Sequence, residues 1–282
     1  MDLMYLTWLD NNSWLIELSG KRILLDPWLI GDLTFGNLTW LFRGSRSCDR
    51  AIPENLDLIL LSQGIEDHAH PETLKHLDKS IPVVASPSAA TVAQSLGFLH
   101  VTALYHGKTF TLDDQIQILA TVGSLVGPTT KENGYLLTAL GTNTKLYYEP
   151  HGFHDPRLKD HAPIDVVITP QIDLALPVVG SIIKGKQTSL KLAQALNPQV
   201  MIPTAAGGDI TFEGVLMSIL NVFGSPDQLR HQLAQSDLAT QVIELKPGIS
   251  YEVNLTSSDT SSDRSTPSVT PAALSPHQQL HP

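Results

Sequence analysis

The sequence predicts an α/β fold with sheets at its centre and helices outside, on three observations. Short apolar runs of strand length alternate with helical segments opened by proline across both halves of the chain. Apolar residues make up 42% of the 282, enough for a sizeable core in one large domain or two small ones. Charged residues are only 16%, with 19 Gly and 19 Pro, a composition that excludes collagen, coiled coil and a wholly disordered chain.

Ser13–Leu18 and Arg22–Asp26 flank the turn Ser19-Gly20-Lys21 and read as a hairpin. Leu56–Ser62 and Ile81–Ser86 are apolar runs of buried-strand length. Pro71 followed by Glu72 opens a helix through Leu77, and Ser86-Pro87 opens another that Gly97 ends. Thr109–Leu112, Gln115–Thr121, Tyr135–Leu140 and Lys145–Tyr148 read as antiparallel strands. In the second half, Asp165–Thr169 and Val200–Pro203 read as strands around a helix at Ser189–Leu196. Further helices are expected over Phe212–Val222 and from Ser225-Pro226 to Gln235, before strands at Val242–Leu245 and Ser250–Val253. From Asn254 to Pro282 about half the residues are Ser, Thr or Pro. That segment reads as a disordered tail, with partner docking or phosphorylation as its functional alternative, and leaves residues 1–253 as the folded domain.

Eighteen Lys and Arg against 28 Asp and Glu give a net charge of −10. So acidic a chain is not expected to bind nucleic acid, which requires an excess of cations. Cys48 is the one cysteine, so no internal disulfide or cysteine-based zinc site is expected, and a reducing compartment is the simplest reading. The start, MDLMYLTWLDNN, carries acid where a signal peptide needs base, and no apolar run approaches 18 residues. The expectation is a cytoplasmic protein. Eleven histidines invite a search for metal ligands.

Residues 9–29 read LDNNSWLIELSGKRILLDPWL, and residues 57–68 read DLILLSQGIEDH before the helix opened by Pro71-Glu72. In that order the two stretches resemble the metallo-β-lactamase superfamily, within it the lactonase-like branch that includes L-ascorbate-6-phosphate lactonase. There a strand leads into "DGKRILIDPWL", and a later apolar strand ends in Thr-His-x-His-x-Asp-His. The resemblance implies an αββα four-layer sandwich, with metal at one edge of the two sheets and water activated as a nucleophile.

Set against that pattern, the first two motif histidines fall on Gln63 and Ile65, and the Gly-His position falls on Asp10-Asn11. No histidine lies between His106 and His151, or between His161 and His231, where the resemblance implies further ligands. The "Pro-x-His" stretch reads Pro203-Thr204-Ala205-Ala206-Gly207-Gly208, and the strand before the bridging Asp reads Leu146-Tyr147-Tyr148-Glu149-Pro150-His151-Gly152. The usual two-metal ligand set is therefore missing. Asp67 and His68 match the second metal position, and two ligands do not make a site.

Two function classes follow. In one, the chain has lost catalysis and uses the old cleft, or its apolar rim, to bind a small-molecule ligand or a protein partner; the missing histidines favour this reading. In the other, Asp67, His68, His151, His154 and Glu149 form a remodelled single-metal site holding zinc, manganese or iron. It would hydrolyse an ester, lactone or phosphoester, with Asp67 as its catalytic residue. His70 is a further candidate ligand, or merely sits near a helix N-terminus. Ser124 has no evident base beside it and is discounted as a nucleophile. Gly207-Gly208-Asp209 reads as an anion site or as a turn before a helix, and Lys184-Gly185-Lys186 as a solvated turn. The apolar segments Trp28–Phe42 and Ile172–Ile183 read as loops that cover the sheet edges, line a pocket, form a dimer interface or touch a membrane surface.

Overall fold

The computed structural model describes residues 3–126, 129–177 and 179–256. Its first half opens as an antiparallel meander, β1 (Met4–Trp8), β2 (Trp14–Leu18) and β3 (Lys21–Leu25). Leu18 pairs with Lys21 across a two-residue turn in which Ser19 and Gly20 both have positive φ, the geometry whose twist matches its flanking strands. After β4 (Arg43–Arg46) the chain returns to this sheet as β5 (Leu58–Leu61). Helix α1 (Pro71–His76), β6 (Val83–Ala85), helix α2 (Pro87–Ser95) and β7 (Val101–Ala103) follow. Strands β3, β5, β6 and β7 are parallel neighbours.

The second sheet begins with β8 (Thr109–Leu112), β9 (Ile116–Val126), β10 (Thr130–Ala139) and β11 (Lys145–Tyr148). Next come β12 (Val166–Ile168), the hairpin β13 (Asp173–Leu176) and β14 (Gly180–Lys184), helix α3 (Gly185–Leu196) and β15 (Val200–Ile202). The chain ends with β16 (Ile210–Glu213), α4 (Val215–Ile219), β17 (Asn221–Phe223), α5 (Pro226–Gln235), β18 (Gln241–Val242) and β19 (Ser250–Val253). The two large sheets run β19-β1-β2-β3-β5-β6-β7 and β18-β15-β12-β11-β10-β9-β8.

Side-chain alternation turns these sheets into four layers. Ile23, Leu25, Leu58 and Leu60 meet Ile118, Tyr135 and Tyr148 in the core between the sheets. Their neighbours Leu24, Ile59 and Leu61 face α1 and α2, and Tyr147 and Val167 face α3 and α5. Strands buried on both faces read as continuous apolar runs for this reason. The layering is the αββα sandwich expected from the sequence.

Three local expectations are corrected. Ile172–Ile183 is mostly the β13–β14 hairpin, because β17 pairs with β13 and supplies a strand partner that the sequence does not reveal. Only Val215–Ile219 of Phe212–Val222 is helical, since Gly214 at φ 110° interrupts it and Phe212 belongs to β16, paired with β4. Lys184-Gly185-Lys186 leads into α3, where a Cβ on Gly185 would lie 2.1 Å from the Pro170 carbonyl oxygen. The expected tail falls almost wholly on residues 257–282, outside the described residues.

Trp14 is fully buried between the sheets and its indole N–H donates to Thr204 Oγ1 at 3.1 Å. Trp14→Ala should destabilise the protein by about 3–5 kcal/mol in urea unfolding. Trp40→Ala, at a side chain 64% exposed, should stay within about 0.5 kcal/mol.

Candidate metal centre

Parallel strands leave a crevice at their carboxyl ends, where loops carry chemistry on a rigid frame. Here β3 ends at Asp26, β5 leads into Ser62–His70, and β11 leads into Glu149–Asp155. Asp26, buried and at φ 44°, joins all three. Its carboxylate accepts from the Ser62 backbone N–H and hydroxyl and from the Tyr148 hydroxyl, the last at 2.7 Å. His68 Nδ1 lies 2.7 Å from the same carboxylate.

That contact turns the other ring nitrogen of His68 toward Asp67. Nε2 is 3.3 Å from Asp67 Oδ2 without an aligned hydrogen bond, and Asp67 Oδ1 also lacks a partner. His151 stands edge-on to His68, with ring centroids 5.2 Å apart. Its Nδ1 is 2.7 Å from Gln63 Nε2 and 2.9 Å from Ser124 Oγ, leaving Nε2 for the cluster. Ligand atoms of Asp67, His68 and His151 all lie within 4.8 Å of one another, the only such group among the described residues.

Electrostatics separate the two imidazoles. Burial pushes the His68 pKa down, but the Asp67 and Asp26 carboxylates outweigh it and raise it to about 10. Burial and the neighbouring His68 lower His151 to about 3. Burial works against the Asp67 carboxylate, yet His68 holds its pKa below the usual value. Two of the cluster's buried polar atoms, Asp67 Oδ1 and His68 Nε2, have no hydrogen-bond partner. Two imidazoles and a carboxylate are the donor set of single-ion zinc and iron sites, so these residues fit a metal.

Glu149 and His154, also expected as ligands, are held elsewhere. Glu149 is buried behind the loop, where its Oε2 accepts the backbone N–H groups of His151 and Phe153 at 3.1 and 2.8 Å. Burial raises its pKa to about 7 against those bonds. Its contacts shape the turn that presents His151. His154 packs on Tyr147, its Nδ1 3.2 Å from that hydroxyl. Tyr147 points into the outer helix layer, so alternation along β11 carries His154 away from the crevice. His70 caps α1, its Nδ1 accepting from the Thr73 backbone N–H.

The positions where histidines are missing have taken other tasks. Asp10 is fully buried in a charge network with Arg50, at 2.9 and 3.0 Å, and accepts the Asp209 backbone N–H. Gly208 at φ 64° makes this possible, since a Cβ there would stand 2.2 Å from Asp10 Oδ1. The Gly207-Gly208-Asp209 turn therefore serves an internal carboxylate and leads into a strand, not a helix. Ser124 does have an imidazole beside it, His151 Nδ1 at 2.9 Å, a contact that sequence spacing could not reveal across 27 residues.

Above the cluster lies a cavity of about 400 Å³ whose wall includes Asp67, His151, Asn11 and Ala205. Most of the remaining wall is apolar, from Phe35 and Phe42, the β13–β14 hairpin, Phe212 and α4. The Trp28–Phe42 segment thus lines a pocket in part. Phe42 is buried, whereas Trp40 is exposed.

Comparison with known proteins places the chain. Residues 5–205 match the model of the β-lactamase superfamily domain, and the protein belongs to that superfamily. A UPF0173 metal-dependent hydrolase from Methanopyrus kandleri is 24% identical over 258 residues, spanning 88% of this chain and 100% of that one. Among solved structures, a metallo hydrolase from Ignicoccus hospitalis matches with a TM-score of 0.62 at 16% identity, over 90% of this chain and all of that one. An isothiocyanate hydrolase from Delia radicum gut bacteria also gives 0.62 at 16% identity, over 89% of this chain and all of that one. These relatives are described as hydrolases, whereas the histidine positions of this chain had suggested a non-catalytic descendant. No helix among the described residues is long and apolar enough to cross a membrane.

Asp26→Ala should cost about 3–5 kcal/mol in chemical unfolding, because it strands buried donors and an imidazolium without their partner. Asp155 supplies the pH test. Its carboxylate accepts from Arg157 and from the Val122 backbone N–H, chiefly the Arg157 contact lowering its pKa to about 2 from 3.8. A depressed folded pKa stabilises above the unfolded value, and that stability disappears as pH falls from about 4 to about 2. Asp155→Asn should lose on the order of 1–2 kcal/mol at pH 7, with solvent around Arg157 reducing the effect, and the difference should close toward pH 2.

Proposed function

We propose that this protein is a metal-dependent hydrolase, cleaving an ester, lactone or phosphoester with one zinc, manganese or iron ion held by Asp67, His68 and His151. The observation that carries the reading is the convergence of three donors, of which Asp67 and His68 have orphaned atoms and Asp67 and His151 line a cavity. A bound divalent ion supplies Lewis acidity and makes water a competent nucleophile near neutral pH.

The protein's own residues prepare that chemistry. Asp26 fixes the tautomer of His68 by holding Nδ1, the arrangement by which carboxylates orient metal-binding imidazoles. His151 must likewise carry its hydrogen on Nδ1 for Nε2 to donate a lone pair. Ser124 Oγ and the Gln63 amide lie within reach of that hydrogen. Turned about its terminal bond, the Gln63 amide presents Oε1, which otherwise lacks a partner, as the acceptor. Gln63, in the place of a lost ligand, is thus a positioning residue for a new one. Asp67 borders the cavity and is the carboxylate placed to accept a proton from substrate water.

Protein purified without a metal-binding tag should carry close to one equivalent of transition metal by elemental analysis, and His68→Ala/His151→Ala should carry none. Adding metal to metal-free protein at about a thousand times its Kd should raise Tm by roughly 10 °C. No metal uptake, with Tm unchanged by zinc, manganese and iron, would contradict the reading. Gln63→Leu should weaken metal binding about 10- to 100-fold by competition titration while leaving the circular dichroism spectrum intact.

A further inference from the structure

The cavity above the cluster also constrains what can enter it, granted the hydrolase reading just given. Among the described residues lining it, the ionisable side chains are Asp67 and His151 alone. Both are committed to the cluster, and no Lys, Arg or Glu lines the wall. The body of the cavity is built from Phe35, Phe42, Leu174, Ile183, Phe212 and Leu216. These come from three separate segments, so the apolar lining is not the accident of one greasy loop.

A charged group away from the reacting bond would enter this lining with no partner to replace its water, which strongly disfavours it. A phosphoester or carboxylate-bearing substrate therefore finds recognition only at the cluster. A neutral apolar body gains from burial along the whole cavity, in proportion to the area covered. Its volume, about 400 Å³, falls in the lower part of the range of about 300–1,000 Å³ for small-molecule sites. Val222 on the wall is itself exposed, and Val215 and Ile219 on α4, the helix that supplies Leu216, also expose apolar surface.

We infer that the substrate class is a neutral carboxylic ester or lactone with an apolar, uncharged body, not a phosphoester or other anion. Hydrolysis of such a bond balances with water alone. The water oxygen bonds to the acyl carbon, the acyl C–O bond breaks, and the departing alkoxide takes one proton from that water. An ester gives one acid and one alcohol, and a lactone opens to one hydroxy acid.

The full chain loaded with zinc, manganese or iron would be assayed with 4-nitrophenyl hexanoate, its equal-length counterpart ending in carboxylate (4-nitrophenyl hydrogen adipate), and 4-nitrophenyl phosphate. The expected kcat/KM for the hexanoate exceeds that of the adipate at least about a hundredfold, with no turnover of the phosphate. Leu216→Arg, and Met217→Lys as a second variant, should shrink that preference at least about tenfold. A parallel arm measures calorimetric binding of octanamide, and of the same-length amide ending in carboxylate, to metal-free protein. Tighter binding of octanamide with no ester hydrolysed would support the substrate-side inference while overturning the hydrolase reading. Equal or reversed preference in both arms overturns the inference and leaves the hydrolase reading standing.

Discussion

Four donors from two strand ends converge on one carboxylate, Asp26, at the end of a third: the Ser62 backbone N–H and hydroxyl, the Tyr148 hydroxyl and His68 Nδ1. Because β3 and β5 belong to one sheet and β11 to the other, this carboxylate ties the two halves of the sandwich together where the crevice opens. It also fixes which nitrogen of His68 faces outward. A buried charge is tolerable only when so fully partnered, and each partner is thereby fixed in place. The arrangement of the cluster follows from that fixation.

Gln63, just past the end of β5, holds the ring of His151 from behind together with Ser124. Asp10 turns inward to Arg50 and the Gly208 turn, stabilising the loops near the cavity. The residues of Ala205–Gly207 leave room where a ligand would otherwise stand, and that room belongs to the cavity.

The layers were legible in the sequence because their strands are local apolar runs bounded by turns. Thr109–Leu112, Lys145–Tyr148 and Ser250–Val253 fall where expected to the residue. The small sheets were not legible: β16 and β17 are short and acquire strand character only from distant partners, and β13 pairs with both its neighbour β14 and the distant β17. In the site, Asp67 and His68 were readable from motif spacing, and His151 from a cluster of candidate donors after β11. Glu149 and His154 could not be separated from His151, because one strand's alternation and the tight turn after it decide which side chain enters the crevice. Asp26 stood within a quoted stretch, but its role depends on Tyr148, 122 residues away, and no local signal carries that contact.

The most direct measurement of the central claim is a crystal structure of the protein soaked with zinc or manganese, with anomalous difference maps recorded above and below the metal edge. The account predicts one strong peak about 2.0–2.2 Å from Asp67, His68 Nε2 and His151 Nε2, with His68 Nδ1 still on Asp26. A peak coordinated by other residues, or no peak in the crevice at saturating metal, would contradict it.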